Sequence, residues 1–131
     1  MRAVTFTGAG GNEVVAVAER PDPVPAADEV LVSARFAGVN WADVSQRQGH
    51  YPPPPGSPRD IPGLEVAGEV AATGDAVRAW HVGDRVFGLV GGGGLADRVT
   101  SHPRRAAEAI SESRDVHRGR GERGRRRRGT P

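Results

Sequence analysis

Most of the side chains able to do chemistry fall between Asn40 and Glu65. The Asn40 amide offers two donors and one acceptor, so it can polarise a carbonyl oxygen or cap a helix. Asp43, three residues on, is placed either to act at a site or to hold backbone in place. Arg47 can contact an anionic ligand or pair with an acid. Tyr51, the only tyrosine, carries a phenol that can donate a hydrogen bond or anchor the proline-rich loop beside it. Trp41 can wall a pocket or pack, and Glu65 is a carboxylate with either a structural or a chemical use. Metal chemistry has little to work with. There is no cysteine, and His50, His81, His102 and His117 do not share the spacing of ligands on one turn or strand.

The elements that must position these residues are short strands with strong punctuation. Arg2–Thr7 and Glu13–Glu19 read as a hairpin around Gly8-Ala9-Gly10-Gly11-Asn12. That glycine run resembles the start of a dinucleotide fingerprint, but a strand pattern follows it where a helix is required. Glu29–Ala37 reads as a strand with Val30, Val32, Ala34 and Phe36 on one face and Leu31, Ser33 and Arg35 on the other. Asn40–Gln48 is the plausible short helix, with Asn40 as its cap. Tyr51–Pro58 contains five prolines and reads as a loop. Leu64–Ala72, Val86–Val90 and Leu95–Ser101 complete the strands, with Gly91–Gly94 expected to be a flexible tether. Trp80 is expected in the core. Many short strands with few helices predict a mainly β fold, a small barrel.

The chain has 131 residues, enough for one domain. It has no apolar run of the roughly 18 residues that span a bilayer and no signal-peptide pattern at its start, so a cytoplasmic protein without membrane partners is expected. Its net charge of +2 hides two opposite parts. Residues 1–103 hold 8 Arg against 12 acids, whereas residues 104–131 hold 10 Arg against 4 acids. Lysine is absent, and Arg, Gly, Ala and Pro are abundant, as a GC-rich coding sequence gives.

Several pieces recur in a telling order. They are Glu29-Val30-Leu31-Val32, Ala37-Gly38-Val39-Asn40, Asp43 with Arg47, Gly49, Tyr51 and Pro52, and Pro62-Gly63-Leu64-Glu65-Val66-Ala67-Gly68. Val82-Gly83-Asp84-Arg85-Val86-Phe87-Gly88 and Gly94-Leu95-Ala96 follow. Together they resemble the catalytic domain of the medium-chain dehydrogenase/reductase superfamily over residues 1–105. Zinc alcohol dehydrogenases of that superfamily carry a metal-binding cysteine at the place of Asn40 and a metal-binding histidine at the place of Leu64. A zinc site needs three protein ligands. Replacing two of them by an amide and a hydrocarbon points to the zinc-independent quinone oxidoreductases (zeta-crystallin-like).

The resemblance implies a GroES-like, partly open barrel with one or two short helices, joined in the family to a Rossmann domain. It implies hydride transfer from NADPH to a quinone or conjugated carbonyl without zinc, in a homodimeric enzyme. With no metal, a developing oxyanion needs hydrogen-bond donors. The resemblance gives that catalytic role to Asn40 and Tyr51. It turns Trp41, Asp43, Arg47 and Glu65 toward substrate pocket or cofactor. Where this chain has Ser45 the family often has a further tyrosine, which changes how a quinone would stack. An enoyl-thioester reductase of the same superfamily is the neighbouring reading.

No Gly-x-Gly-x-x-Gly following a strand occurs in the sequence. The Rossmann domain is therefore expected to be missing from these residues, and the chain to be inactive alone. Residues 106–131 lose apolar periodicity, and Arg118–Arg128 is dominated by Arg and Gly. The expectation there is a disordered basic tail, read through a shifted frame. The competing function is a polyanion-binding module, in which Arg118–Arg128 neutralises phosphates of a nucleic acid. That segment lacks an aromatic residue for base stacking.

Overall fold

The computed structural model describes residues 1–102. The expected basic tail, its proposed frameshift and its nucleic-acid contacts lie outside the described residues, as does the exact boundary at residue 105. The body is mainly β, as expected, with one α-helix and one 3-10 turn. Strands β1 (Arg2–Phe6) and β2 (Val15–Glu19) form an antiparallel pair running from Arg2 opposite Glu19 to Phe6 opposite Val15. The expected second strand starts two residues late, because Asn12–Val14 turns as a 3-10 helix.

Four further strands form a second antiparallel sheet: β3 (Val30–Gly38), β4 (Glu65–Thr73), β5 (Arg85–Leu89) and β6 (Arg98–Ser101), in the order β5-β4-β3-β6. Valine dominates its inner face, in keeping with the preference of β-branched side chains for pleated surfaces. Val30, Val32, Val66, Val70, Val86, Val90 and Val99 make the core, with Trp80 packed against it. The two sheets are joined where Ala3 bridges Ala96 and the Val4 N–H donates to the Leu95 carbonyl at 2.8 Å. Beside this bridge the Arg2 backbone N–H donates to Asp97 Oδ2 at 2.9 Å, and the Arg2 guanidinium adds a second link.

Two expectations need correction. The alternation of β3 does not run through to Phe36. Ala34 lies opposite Gly68 and Phe36 opposite Ala67, so Arg35 is an extra residue in the ladder. Such a bulge interrupts the two-residue side-chain period, and Phe36 is 77% exposed. On the other face Leu31 is buried alongside Val30 and Val32. The glycines at 91–94 are not a free tether either. Gly92, Gly93 and Gly94 are buried, and the N–H groups of Gly93 and Gly94 donate to the carbonyls of Ile61 and Gly63. A run without side chains lets two backbones lie against each other, which is the use of glycine here.

Candidate functional site

The helix α1 (Trp41–Arg47) starts where β3 ends, and Asn40 occupies its N-cap in an extended conformation. Its first turn is fixed by Asp43, which is only 4% exposed. One carboxylate oxygen accepts the Asn40 backbone N–H at 2.8 Å. The other accepts the Gly63 N–H at 2.9 Å, within the buried interior. A carboxylate accepting two backbone donors is a strong tie. Asp43 therefore binds the helix start to the loop preceding β4.

That loop is held from its other side as well. The Gly94 N–H donates to the Gly63 carbonyl at 3.0 Å, and the Leu95 N–H donates to the Pro62 carbonyl at 2.9 Å. Gly63 has φ +103, and a Cβ there would collide with the Leu95 amide nitrogen and lie 2.7 Å from the Gly94 carbonyl carbon. The result is a cradle of three backbone segments: residues 40–43, 61–63 and 93–95. Nothing in a hydrophobic pattern announces it. The signal in the sequence is the paired glycines 63 and 94, each standing where a side chain would not fit.

Asn40 lies at the edge of this cradle. Its Nδ2 is buried and makes no hydrogen bond. A buried donor without a partner carries a desolvation penalty of about 1–3 kcal/mol unless an acceptor arrives. The acceptor that suits it is a carbonyl or oxyanion oxygen. Leu64, beside Gly63, is half-buried and offers no ligand atom. Among the described residues, no cluster of three or more His, Cys, Asp or Glu is arranged to hold a metal ion.

The remaining candidates are dispersed. Glu65 opens β4 opposite Gly38 on one side and Leu89 on the other, and it is exposed. Its side chain lies over Gly38, where a Cβ would collide with it. Trp41 is 80% exposed. Arg47 sits at the far end of α1, about 10 Å from Asn40 by the rise of seven helical residues. There its Nη1 donates to Asn12 Oδ1 and its carbonyl accepts the Gly10 N–H, so it ties the helix to the hairpin tip. The neighbouring Glu13 carboxyl is held below its ordinary range, first by backbone N–H donors including that of Gly11 and then by the Arg47 charge. Tyr51 is half-buried, and among the described residues its phenol makes no hydrogen bond to Asn40 or Asp43. Sequence reasoning passed over Gln46, which is 8% exposed and donates to the Arg59 carbonyl at 3.3 Å. It fastens α1 to the end of the proline-rich loop.

The structure thus joins Asn40 and Asp43 in one cradle, sets Glu65 at its border, and places Arg47 at the opposite end of the helix.

Residues 26–111 match the alcohol dehydrogenase GroES-like domain family. The chain is 40% identical over 88 residues to the quinone oxidoreductase of Lama guanicoe, covering 66% of this chain and 26% of that protein. Among solved structures it is similar to the human synaptic vesicle membrane protein VAT-1 homolog-like protein, with a TM-score of 0.78, 32% identity, and coverage of 86% of this chain and 35% of that one. It is also similar to Escherichia coli quinone oxidoreductase complexed with NADPH, with a TM-score of 0.74, 30% identity, and coverage of 82% and 32%. The chain therefore spans about a quarter of the curated relative and about a third of each of these solved chains. With the fold and these matches together, the chain belongs to the GroES-like domain family of the medium-chain dehydrogenase/reductases.

Proposed function

We propose that this chain is the substrate-side portion of an NAD(P)H-dependent quinone or enone oxidoreductase that works without zinc. The observation that carries the reading is the buried, unpartnered Asn40 Nδ2 beside the cradle. In that position a hydrogen-bond donor does what a metal does in a zinc enzyme: it stabilises negative charge developing on a carbonyl oxygen. Asp43 fixes the backbone from which the Asn40 side chain projects. The Asp43–Gly63 bond sets the distance between helix start and loop, so the donor is held before substrate arrives.

NADPH would supply the hydride. The described residues offer it the Asn40 amide but no glycine-rich loop opening a helix, so most of its binding must come from a nucleotide-binding domain. By this reading the 131 residues by themselves give no turnover.

The test is a hybrid in which residues 1–102 replace their counterpart in Escherichia coli quinone oxidoreductase. The expected result is quinone-dependent NADPH oxidation that a chelator does not affect. Asn40→Ala should lower kcat about 100-fold, the range for losing one oxyanion donor. Dependence on added metal, an unchanged kcat in Asn40→Ala, or turnover by the unfused chain would each overturn the reading.

A further inference from the structure

We propose that Asn12 and Arg47 are positioning residues for the Asn40 donor: the tip of the β1–β2 hairpin holds the last turn of α1, and the helix carries that hold to its first residue. The inference rests on the role given to Asn40 above and adds what aims it.

α1 is a body of seven residues, and the Asn40 backbone N–H is bound to Asp43 at its start. Asn40 and the first turn therefore move as one. At that end the link to the opposing loop is the Asp43–Gly63 bond. A single bond fixes a point and leaves a short helix free to tilt about it. The tilt has to be set at the other end.

There the hairpin tip closes on the last turn. The Gly10 N–H donates to the Arg47 carbonyl at 2.9 Å, and Arg47 Nη1 donates to Asn12 Oδ1. Ala9 lies against the turn that follows: a Cβ on Gly49, which has φ +82, would stand 3.0 Å from the Ala9 Cβ. On a second side Gln46 reaches the Arg59 carbonyl at 3.3 Å. The tip is itself braced. The Thr7 N–H donates to the Val14 carbonyl at 2.9 Å, and the Gly11 N–H donates to Glu13 Oε1 at 2.7 Å.

A bond between exposed side chains usually fixes little, because water competes for both partners. Arg47 is a different case. Its Nε is buried and has no partner. Packing thus holds the guanidinium where water cannot satisfy it, and a long side chain that cannot swing transmits position.

The two lever arms are comparable. Asp43 is three residues from Asn40 and four from Arg47, about 4.5 Å and about 6 Å along the axis. A tilt that moves the Arg47 end by about 1 Å moves Asn40 by about 0.75 Å the other way. Misplacing a catalytic group by about 1 Å can cost about 100-fold in rate. Losing one of the holds at the tip is therefore expected to cost about 10-fold, with the helix itself intact. Asn12 is the residue to change, because it is exposed and takes no core contact with it.

In the hybrid described above, Asn12→Ala should lower kcat about 10-fold and leave KM unchanged, the signature of an interaction expressed in the transition state. Asn12→Asp keeps an acceptor oxygen for Arg47 and should keep kcat within about two-fold of the parent. Combined with Asn40→Ala, Asn12→Ala should cost nothing further, because a donor that is gone cannot be misplaced. Losses that add in the double variant, an equal loss in Asn12→Asp, or full kcat in Asn12→Ala would each overturn the proposal. A second readout needs no turnover. In the full chain labelled with nitrogen-15, the Asn40 side-chain amide signal should shift in Asn12→Ala. It should hold its place in Asn12→Asp and in Val82→Ala, whose side chain is 67% exposed on the turn before β5. An Asn40 signal unmoved by Asn12→Ala overturns the proposal whatever the hybrid does. An inactive parent hybrid overturns the functional reading instead, and the signal alone then decides the positioning.

Discussion

The cradle at residues 40–43, 61–63 and 93–95 and the open face around Phe36 adjoin each other at one end of β3 and β4, yet they are stabilised differently. The cradle is closed by the chain's own backbone: Asp43 takes two N–H groups, and the glycines at 63 and 94 let two loops exchange further bonds. The open face has the larger apolar side chains and almost none of the closure. Where β3 has strands on both sides, Val30 and Val32 are 1% exposed; beyond the bulge, Phe36 is 77% exposed. The contrast teaches that polar positioning in this domain is a local affair of turns and caps, complete within residues 1–102. The end of β3 beyond the bulge stays bare within the same residues. The open face can therefore be altered with little cost to the domain, whereas the cradle cannot.

The largest effect is expected from Gly63→Ala. Its positive φ costs about 1–2 kcal/mol for any residue with a Cβ. The added methyl also meets backbone atoms of Gly94 and Leu95, which no rotamer change can move. A loss of at least about 3 kcal/mol in urea unfolding is expected. Gly56→Ala is the control. It has a similar φ of +86 but nothing within 4 Å of the new Cβ, so only the conformational cost of about 1–2 kcal/mol should appear. Equal losses at the two positions would mean that the cradle is not tight.

A second, smaller effect sharpens the contrast between the regions. Asp43→Ala leaves the Asn40 and Gly63 N–H groups without their acceptor, and a loss of about 2–3 kcal/mol is expected. Leu89→Gln on the open face should change the stability of the chain by no more than about 0.5 kcal/mol, because that side chain is already 60% exposed. A larger loss from Leu89→Gln than from Asp43→Ala would reverse the assignment of closed and open regions.

Much of this was legible in the sequence, for identifiable reasons. The hairpin, the long strand from Val30 and the short helix after Asn40 follow from alternation, a glycine turn and a capping residue. All are local signals. The order of weak motifs from Glu29 to Ala96 was enough to point to the family. The Arg35 bulge was not legible, because an extra residue in a ladder is defined by the partner strand, and nothing around Arg35 marks it. The glycine run at 91–94 was misread for a similar reason. Glycines that make a tether and glycines that permit close approach look the same until the opposing backbone, here residues 61–63, is known. At the site, Asn40 and Asp43 are three residues apart, so their link was within reach. The partnership of Asp43 with Gly63 spans 20 residues and is a tertiary fact. The resemblance turned Arg47 toward the pocket or cofactor; in the structure it stands at the other end of α1 from Asn40 and its side chain meets Asn12, a tertiary partner 35 residues away.

The smallest effect concerns the seam that joins the two sheets, which borders both the cradle and the open face. The Asp97 carboxyl is held below its ordinary range, first by the Arg2 backbone N–H, then by the Arg2 side chain. Arg2 is correspondingly raised, chiefly by its hydrogen bond to Asp97. For a carboxyl depressed in the folded state, the stabilisation is fully present above the unfolded value of about 3.9 and is lost as pH falls through the lower folded value. The raised Arg2 keeps its contribution throughout this window, since it would be lost only above its folded value on the alkaline side. The Tm of the parent chain should therefore exceed that of Asp97→Asn near neutral pH, and the gap should close as pH falls below about 4. Both groups are exposed, so salt should shrink the gap as well. Glu13, also depressed, titrates in both proteins and cancels from the difference. A gap that stays constant from neutral to acid pH would show that the seam rests on the Ala3–Ala96 bridge and the Val4–Leu95 bond, with the charge of Asp97 contributing nothing to it.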